Sequence, residues 1–204
     1  MSPQKILEEG KTYSFRSFFE MSYGIEEILA EFGVSFQIAK LALPRADVDA
    51  SITEPLKKDL EESLDVVVLA SEMARREILV APVLVKAVKL SKSQVRIEHP
   101  LIADQQLKGK LDYLVRGKHN LLVVEAKNDD MARGFTQLSV EMIALSRRDP
   151  SLKTVYGAVT IGDVWRFGIL EVEESRVTQN RSLYRVPEDT HDVMSILVGI
   201  LAGT

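Results

Sequence analysis

At 204 residues with 46% hydrophobic content, the chain can bury one sizeable core and leaves no room for a second catalytic domain, so a single domain is expected. The absence of cysteine excludes a disulfide framework, a thiolate nucleophile and cysteine-ligated zinc or iron–sulfur centres, and suits a reducing, cytoplasmic setting. A formal net charge of −4, from 26 basic and 30 acidic residues, argues against a protein that coats nucleic acid, while leaving room for one that grips it locally.

In chain order, the segment Met1 to Gly10 lacks a basic start followed by an apolar core, so no secretory signal is expected, and no stretch is long and apolar enough to span a membrane. Ile25, Ile28, Leu29 and Phe32 stand at helical spacing and predict an amphipathic helix from about Gly24 to Gly33. Val34 to Leu43 alternates like a strand that Pro44 ends, and Arg45 to Thr53 reads as a loop. Glu54 to Leu90 is helical in pattern, with a break between about Ser63 and Ser71. Ser71 is a suitable N-cap for the second part, with Glu72 in the first turn where the helix dipole favours an anion, and Pro82 predicts a kink or a local opening of that helix.

After Ser91 the pattern turns to strands, with Gln94 to Pro100 first. The runs Gly109 to Val115 and Leu121 to Lys127 are joined by Arg116 to Asn120, a hairpin turn, which makes the two strands antiparallel neighbours. A helix from Asp130 to Ser146 follows, then strands Thr154 to Thr160 and Val164 to Val172 around the turn Ile161–Asp163. The apolar stretch Val193 to Ala202 reads as a buried terminal helix or as a subunit contact, through which Ile196, Leu197, Val198, Ile200 and Leu201 would form a homodimer. The expected fold class is α/β, a central mixed sheet flanked by helices. Residues 1–70 would be an N-terminal helical elaboration, 71–172 the core and 173–204 a C-terminal strand and helix extension.

The chemistry concentrates in the hairpin. Strand parity points Glu125 and Lys127 to one face, and Asp112 can join them from the neighbouring strand. Two carboxylates suit a hard, oxygen-loving cation such as Mg²⁺ or Mn²⁺, and a lysine beside them can position the attacking water of a phosphodiester hydrolysis. A strand end carrying only a surface ion pair between Glu125 and Lys127 accounts for the tripeptide as well.

Asp112 followed by Glu125-Ala126-Lys127 resembles the PD-(D/E)XK nuclease superfamily, the restriction-endonuclease-like fold, although Leu111 stands where that name has proline. The order helix, three strands, helix, strand from Ser71 to about Val172 resembles the core of the same family, over roughly half the chain. Val155-Tyr156-Gly157-Ala158-Val159-Thr160, Trp165-Arg166-Phe167 and the segment Tyr13 to Glu20 look like a group of small, stand-alone bacterial, often cyanobacterial, members. The resemblance implies a nuclease acting on nucleic acid, DNA first, with Mg²⁺ or Mn²⁺ held by Asp112, Glu125 and the Ala126 carbonyl and with Lys127 acting on the water. It implies a supporting role for Gln137 in the helix after the acid-x-lysine strand. It also implies a further metal acid, Glu72, from the first core helix, as in the nuclease domains of type I restriction enzymes. Glu77 is the alternate, and it lies about 140° further round a helix than Glu72, so the two are not expected to share one role. A binding or regulatory module of the same fold without useful turnover is the other expectation.

Lys108, Lys110, Arg133, Arg147 and Arg148 are candidates for a basic rim. Other chemistries lack their patterns. His99, His119 and His191 are dispersed, and neither a phosphate-binding glycine loop nor Gly-x-Ser-x-Gly is present.

Overall fold

Runs of β-branched and aromatic residues mark the strands, and they assemble into one sheet. In the computed structural model of the chain, residues 5–8, 10–117, 121–126 and 130–203 are described, with the backbone alone described over 121–126. The strands are β1 Ser35–Ala39, β2 Gln94–Ile102, β3 Lys108–Arg116, β4 Leu121–Ala126, β5 Thr154–Thr160, β6 Val164–Glu171, β7 Arg176–Asn180 and β8 Tyr184–Arg185. Their order is β1-β7-β6-β5-β4-β3-β2, with β8 pairing β6 off that path. β4 and β5 run parallel, as do β1 and β7, and the remaining pairs are antiparallel. The architecture is mixed α/β with helices on both faces of a mixed sheet, as the periodicities predict.

The helices are α1 Phe15–Glu20, α2 Ile25–Ala30, α3 Ala50–Val66, α4 Glu72–Arg75, α5 Ala81–Ser91, α6 Met131–Arg148 and α7 Thr190–Ala202. A parallel β4–β5 pair needs a crossover, and α6 is that crossover. With α1 and α2 it covers one face, around Phe15, Phe18, Leu29, Phe135 and Leu138. On the other face α3, α5 and α7 enclose Leu60, Val83, Trp165, Phe167 and Leu197.

Pro82 was expected to kink or locally open a helix, and it does the second. The turn before it, Arg76–Val80, is π-helical, and the Ala81 N–H reaches back to the Arg76 carbonyl. Proline has no N–H and its ring crowds the carbonyl four residues earlier, so widening the preceding turn by one residue lets α4 run on into α5. The apolar tail takes the first of its two expected forms, a buried terminal helix: Ile196, Leu197, Ile200 and Leu201 are fully buried within the chain's own core. The flanks do more than elaborate, because β1 from the N-terminal part pairs in register with β7 from the C-terminal part, Ser35 opposite Arg176 through Ala39 opposite Asn180.

How close α6 lies to the sheet is set by two glycines paired across β5 and β6, Gly157 opposite Gly168. A Cβ at Gly157 would come within 2.8 Å of Met142 Sδ, and one at Gly168 within 2.5 Å of Phe135 Cζ. The notch lets α6 sink until the whole run Gly134 to Leu145 is buried. Gly168→Ala pushes against the fully buried ring of Phe135 and should destabilise the fold by about 1–3 kcal/mol, read as a lower midpoint in urea denaturation with an unchanged slope.

Candidate functional site

β3 and β4 are antiparallel neighbours with Tyr113 opposite Val124, and Asp112 and Glu125 are the next residue beyond that pair on each strand. β4 then lies beside β5 with Glu125 at Val159 and Ala126 at Thr160. Lys127 falls outside the described residues, and of Glu125 and Ala126 only the backbone position is described. The hairpin expected from the sequence therefore brings Asp112 and the backbone of Glu125 side by side.

At Asp112 the strand breaks its alternation. Tyr113 and Val115 belong to the core on the α7 side, whereas Leu111 and Leu114 both belong to the core on the α6 side, although strict period two would oppose them. The same slip appears next door in β2. Ile97 pairs with Tyr113 and His99 with Leu111, and Glu98 between them has φ of 49°. A left-handed backbone is uncommon for a long side chain and costs about 1–3 kcal/mol where it occurs. This bend carries the outer ends of β2 and β3 over α1, where Ser14 bridges to Lys108 and Gly109 meets the ring of Phe15.

The bend opens a cleft of about 510 Å³ bordered by Asp112, Glu98, Glu72, Gln137, Lys110 and Arg16. Glu72 is presented by the first turn of α4, which Ser71 caps by accepting a hydrogen bond from the Ala74 N–H at 3.1 Å. Glu77 lies in the adjoining groove with Ile97 and Tyr113, and Glu72 borders both spaces. Asp112 is held at 3.6 Å from Arg76 Nη1, and the same guanidinium sits 5.2 Å from the centre of the Tyr113 ring. Burial works against the Arg76 cation, but Asp112 and Tyr113 outweigh it and raise the guanidinium above its ordinary value.

Gln137 projects from the second turn of α6 and is only 4% exposed. Its Nε2 donates to Glu141 Oε1 at 2.9 Å, one helical turn on, while its Oε1 has no hydrogen-bond partner among the described residues. A buried amide oxygen without a donor costs free energy unless something reaches it, and an oxygen-seeking cation or a water in the cleft would. Among the described residues no three His, Asp or Glu side chains are gathered closely enough to hold a metal ion, a statement that does not extend to the Glu125 side chain. The donors that do border the cleft are all oxygens, a set suited to a hard divalent cation.

Of the expected basic rim, Lys110 borders the cleft and lies 3.4 Å from Glu98. Arg133 pairs with Asp130 at 3.5 Å and Arg147 with Asp104 at 3.3 Å. Arg148 lines a separate groove of about 120 Å³ with Arg96, Arg116 and His99. Sequence reasoning missed Arg76 and Glu98. Arg76 follows Glu72 by four residues, a same-side spacing that could have linked them. Glu98 had no signal, since nothing in a glutamate announces a left-handed backbone.

Burial and the nearby Arg96 and Arg116 lower His99 below its ordinary 6.5. The folded state then resists a proton that the unfolded chain accepts, so His99 costs stability as pH falls below about 6.5 and costs nothing above it. His99→Gln should lose less stability than the parent between about pH 7.5 and pH 5, measured by denaturation at each pH. Comparisons with known protein families, with curated proteins and with solved structures found no match.

Proposed function

We propose that the chain is a metal-dependent nuclease of the restriction-endonuclease-like kind, hydrolysing phosphodiester bonds of nucleic acid, with DNA the first substrate to test. The observation that carries the reading is the juxtaposition at the β3–β4 step. Asp112, at the bend in β3, stands beside the Glu125 position on β4 and borders a cleft also lined by Glu72 and Gln137, whose side-chain oxygen lacks a donor among the described residues. Asp112 and Glu125, with the Ala126 carbonyl, would hold Mg²⁺ or Mn²⁺, and Glu72 would supply a further acid. When bound, such an ion supplies Lewis-acid polarisation of the phosphoryl oxygen. Lys127 would orient the attacking water and balance charge that develops on the phosphate in the transition state. Gln137, fixed by its hydrogen bond to Glu141, would orient water or the Lys127 ammonium through its free carbonyl oxygen.

Arg76 has a part in this reading. It neutralises Asp112 and must yield when a cation arrives, and the Tyr113 face beside it offers the guanidinium a resting place. The same ion pair favours a second reading, in which the fold binds nucleic acid or a partner without turnover and Arg76–Asp112 is a permanent structural contact.

Two measurements separate them. Asp112→Asn should weaken Mn²⁺ binding in calorimetry and abolish plasmid cleavage, whereas Lys127→Ala should leave binding intact or slightly tighter and slow cleavage by about 10²–10³. Arg76→Gln removes the competing cation and should tighten Mn²⁺ binding. Parent protein that binds Mn²⁺ and cuts neither DNA nor RNA would hand the case to the binding module.

A further inference from the structure

One cation on the α6 side of the sheet has no use in the account so far. Arg166 lies in β6 opposite Val159, and Val159 lies in turn beside Glu125, so Arg166 occupies the same cross-strand row two strands further along. Paired residues share a face of a sheet. The flanking Trp165 and Phe167 both pack into the core on the α7 side, and Val159 into the core on the α6 side, which puts Arg166 on the face that α6 covers. From strand spacing, its Cα stands about 10 Å from that of Glu125, within the combined reach of an arginine and one bridging phosphate group.

The guanidinium is poorly served where it is. Arg166 is half-buried, its Nε is shut off from solvent, and that N–H has no hydrogen-bond acceptor among the described residues. No carboxylate among the described residues lies within ion-pair distance of it. Burial lowers its hold on its proton. Other partly buried arginines of the molecule are matched, Arg76 by Asp112 and Arg176 by Glu171 at 2.7 Å. A partly desolvated cation with no matching anion costs stability, which an anion from outside would recover. A planar guanidinium fork suits a phosphate.

We infer that Arg166 binds a phosphate of the nucleic-acid strand next to the one positioned at Asp112 and Glu125. The inference rests on the nuclease reading for its ligand. It assigns a second phosphate contact, which that reading leaves open.

The test is fluorescence anisotropy with fluorescein-labelled single-stranded and duplex DNA in EDTA, where no metal-dependent cleavage occurs, repeated over a salt series. Arg166→Met keeps the apolar stem and removes the fork, and Arg166→Lys keeps the charge. Arg166→Met should bind DNA about tenfold or more weakly, with the slope of log affinity against log salt reduced by about one, and Arg166→Lys should fall between it and the parent. Because an unmatched cation is being removed, the melting temperature of free Arg166→Met should equal or exceed that of the parent. Parent-like affinity and slope in Arg166→Met overturn the inference. So does a melting temperature several degrees below the parent, which would make Arg166 a structural residue. Parent protein that binds neither DNA probe overturns it too. Failure of the nuclease reading shows separately, as a parent that binds DNA in an Arg166-dependent way yet cuts nothing when Mn²⁺ is added.

Discussion

The Gly157–Gly168 notch governs the rest of the structure. Without side chains at these two facing positions, α6 settles onto β5 and β6 closely enough for Phe135, Leu138 and Met142 to fill the space two Cβ atoms would take. Close seating buries the helix nearly all the way round, including Gln137 and Glu141, two polar residues that an amphipathic helix would ordinarily show to water. A shallower seat would leave Gln137 solvated, and its carbonyl oxygen would have no stake in what enters the cleft. The packing of the core and the polarity of the cleft thus have one cause.

A second constraint is the bend at Glu98 and Asp112. Strict alternation would have kept β2 and β3 flat and their outer ends away from α1. The left-handed step at Glu98 turns those ends over, lets Leu101, Leu107 and Leu111 join the core on the α6 side, and leaves acidic side chains at the turning point. Backbone strain of about 1–3 kcal/mol is small beside the burial of three leucines, each contributing about 1.5–3 kcal/mol. The cost is met by packing, and the cleft results from it.

Charge in the cleft is arranged in tension. Asp112 is matched by Arg76, Glu98 by Lys110, and Arg16 by Glu20 at 2.8 Å. Most of these pairs are solvent-exposed and weak, and an incoming divalent cation or phosphate can displace them at small cost. The Arg76–Asp112 pair is the more sheltered, with side chains 18% and 19% exposed, and on the proposed reading it sets how readily a cation is admitted. On the same reading, Arg166 is the opposite arrangement, a charge left unmatched until substrate arrives.

Much of this was legible in the residues. Helical and strand periods mark α3 to α6 and β2 to β6 in order, because periods of 3.6 and 2.0 are local properties of a chain with one core to bury. The short connection between two apolar runs likewise determined that Asp112 and Glu125 sit on adjacent antiparallel strands. What remained hidden depends on contacts between residues far apart in sequence. Residues 35–39 pair with 176–180, and Arg76 stands against Asp112. The left-handed Glu98 is of the same kind, since the backbone of a glutamate goes there only when the packing of α1 and α6 makes the bend worth its strain. Local sequence decided which elements form, and tertiary packing decided which side chains share the cleft, because burial is settled by the whole fold at once.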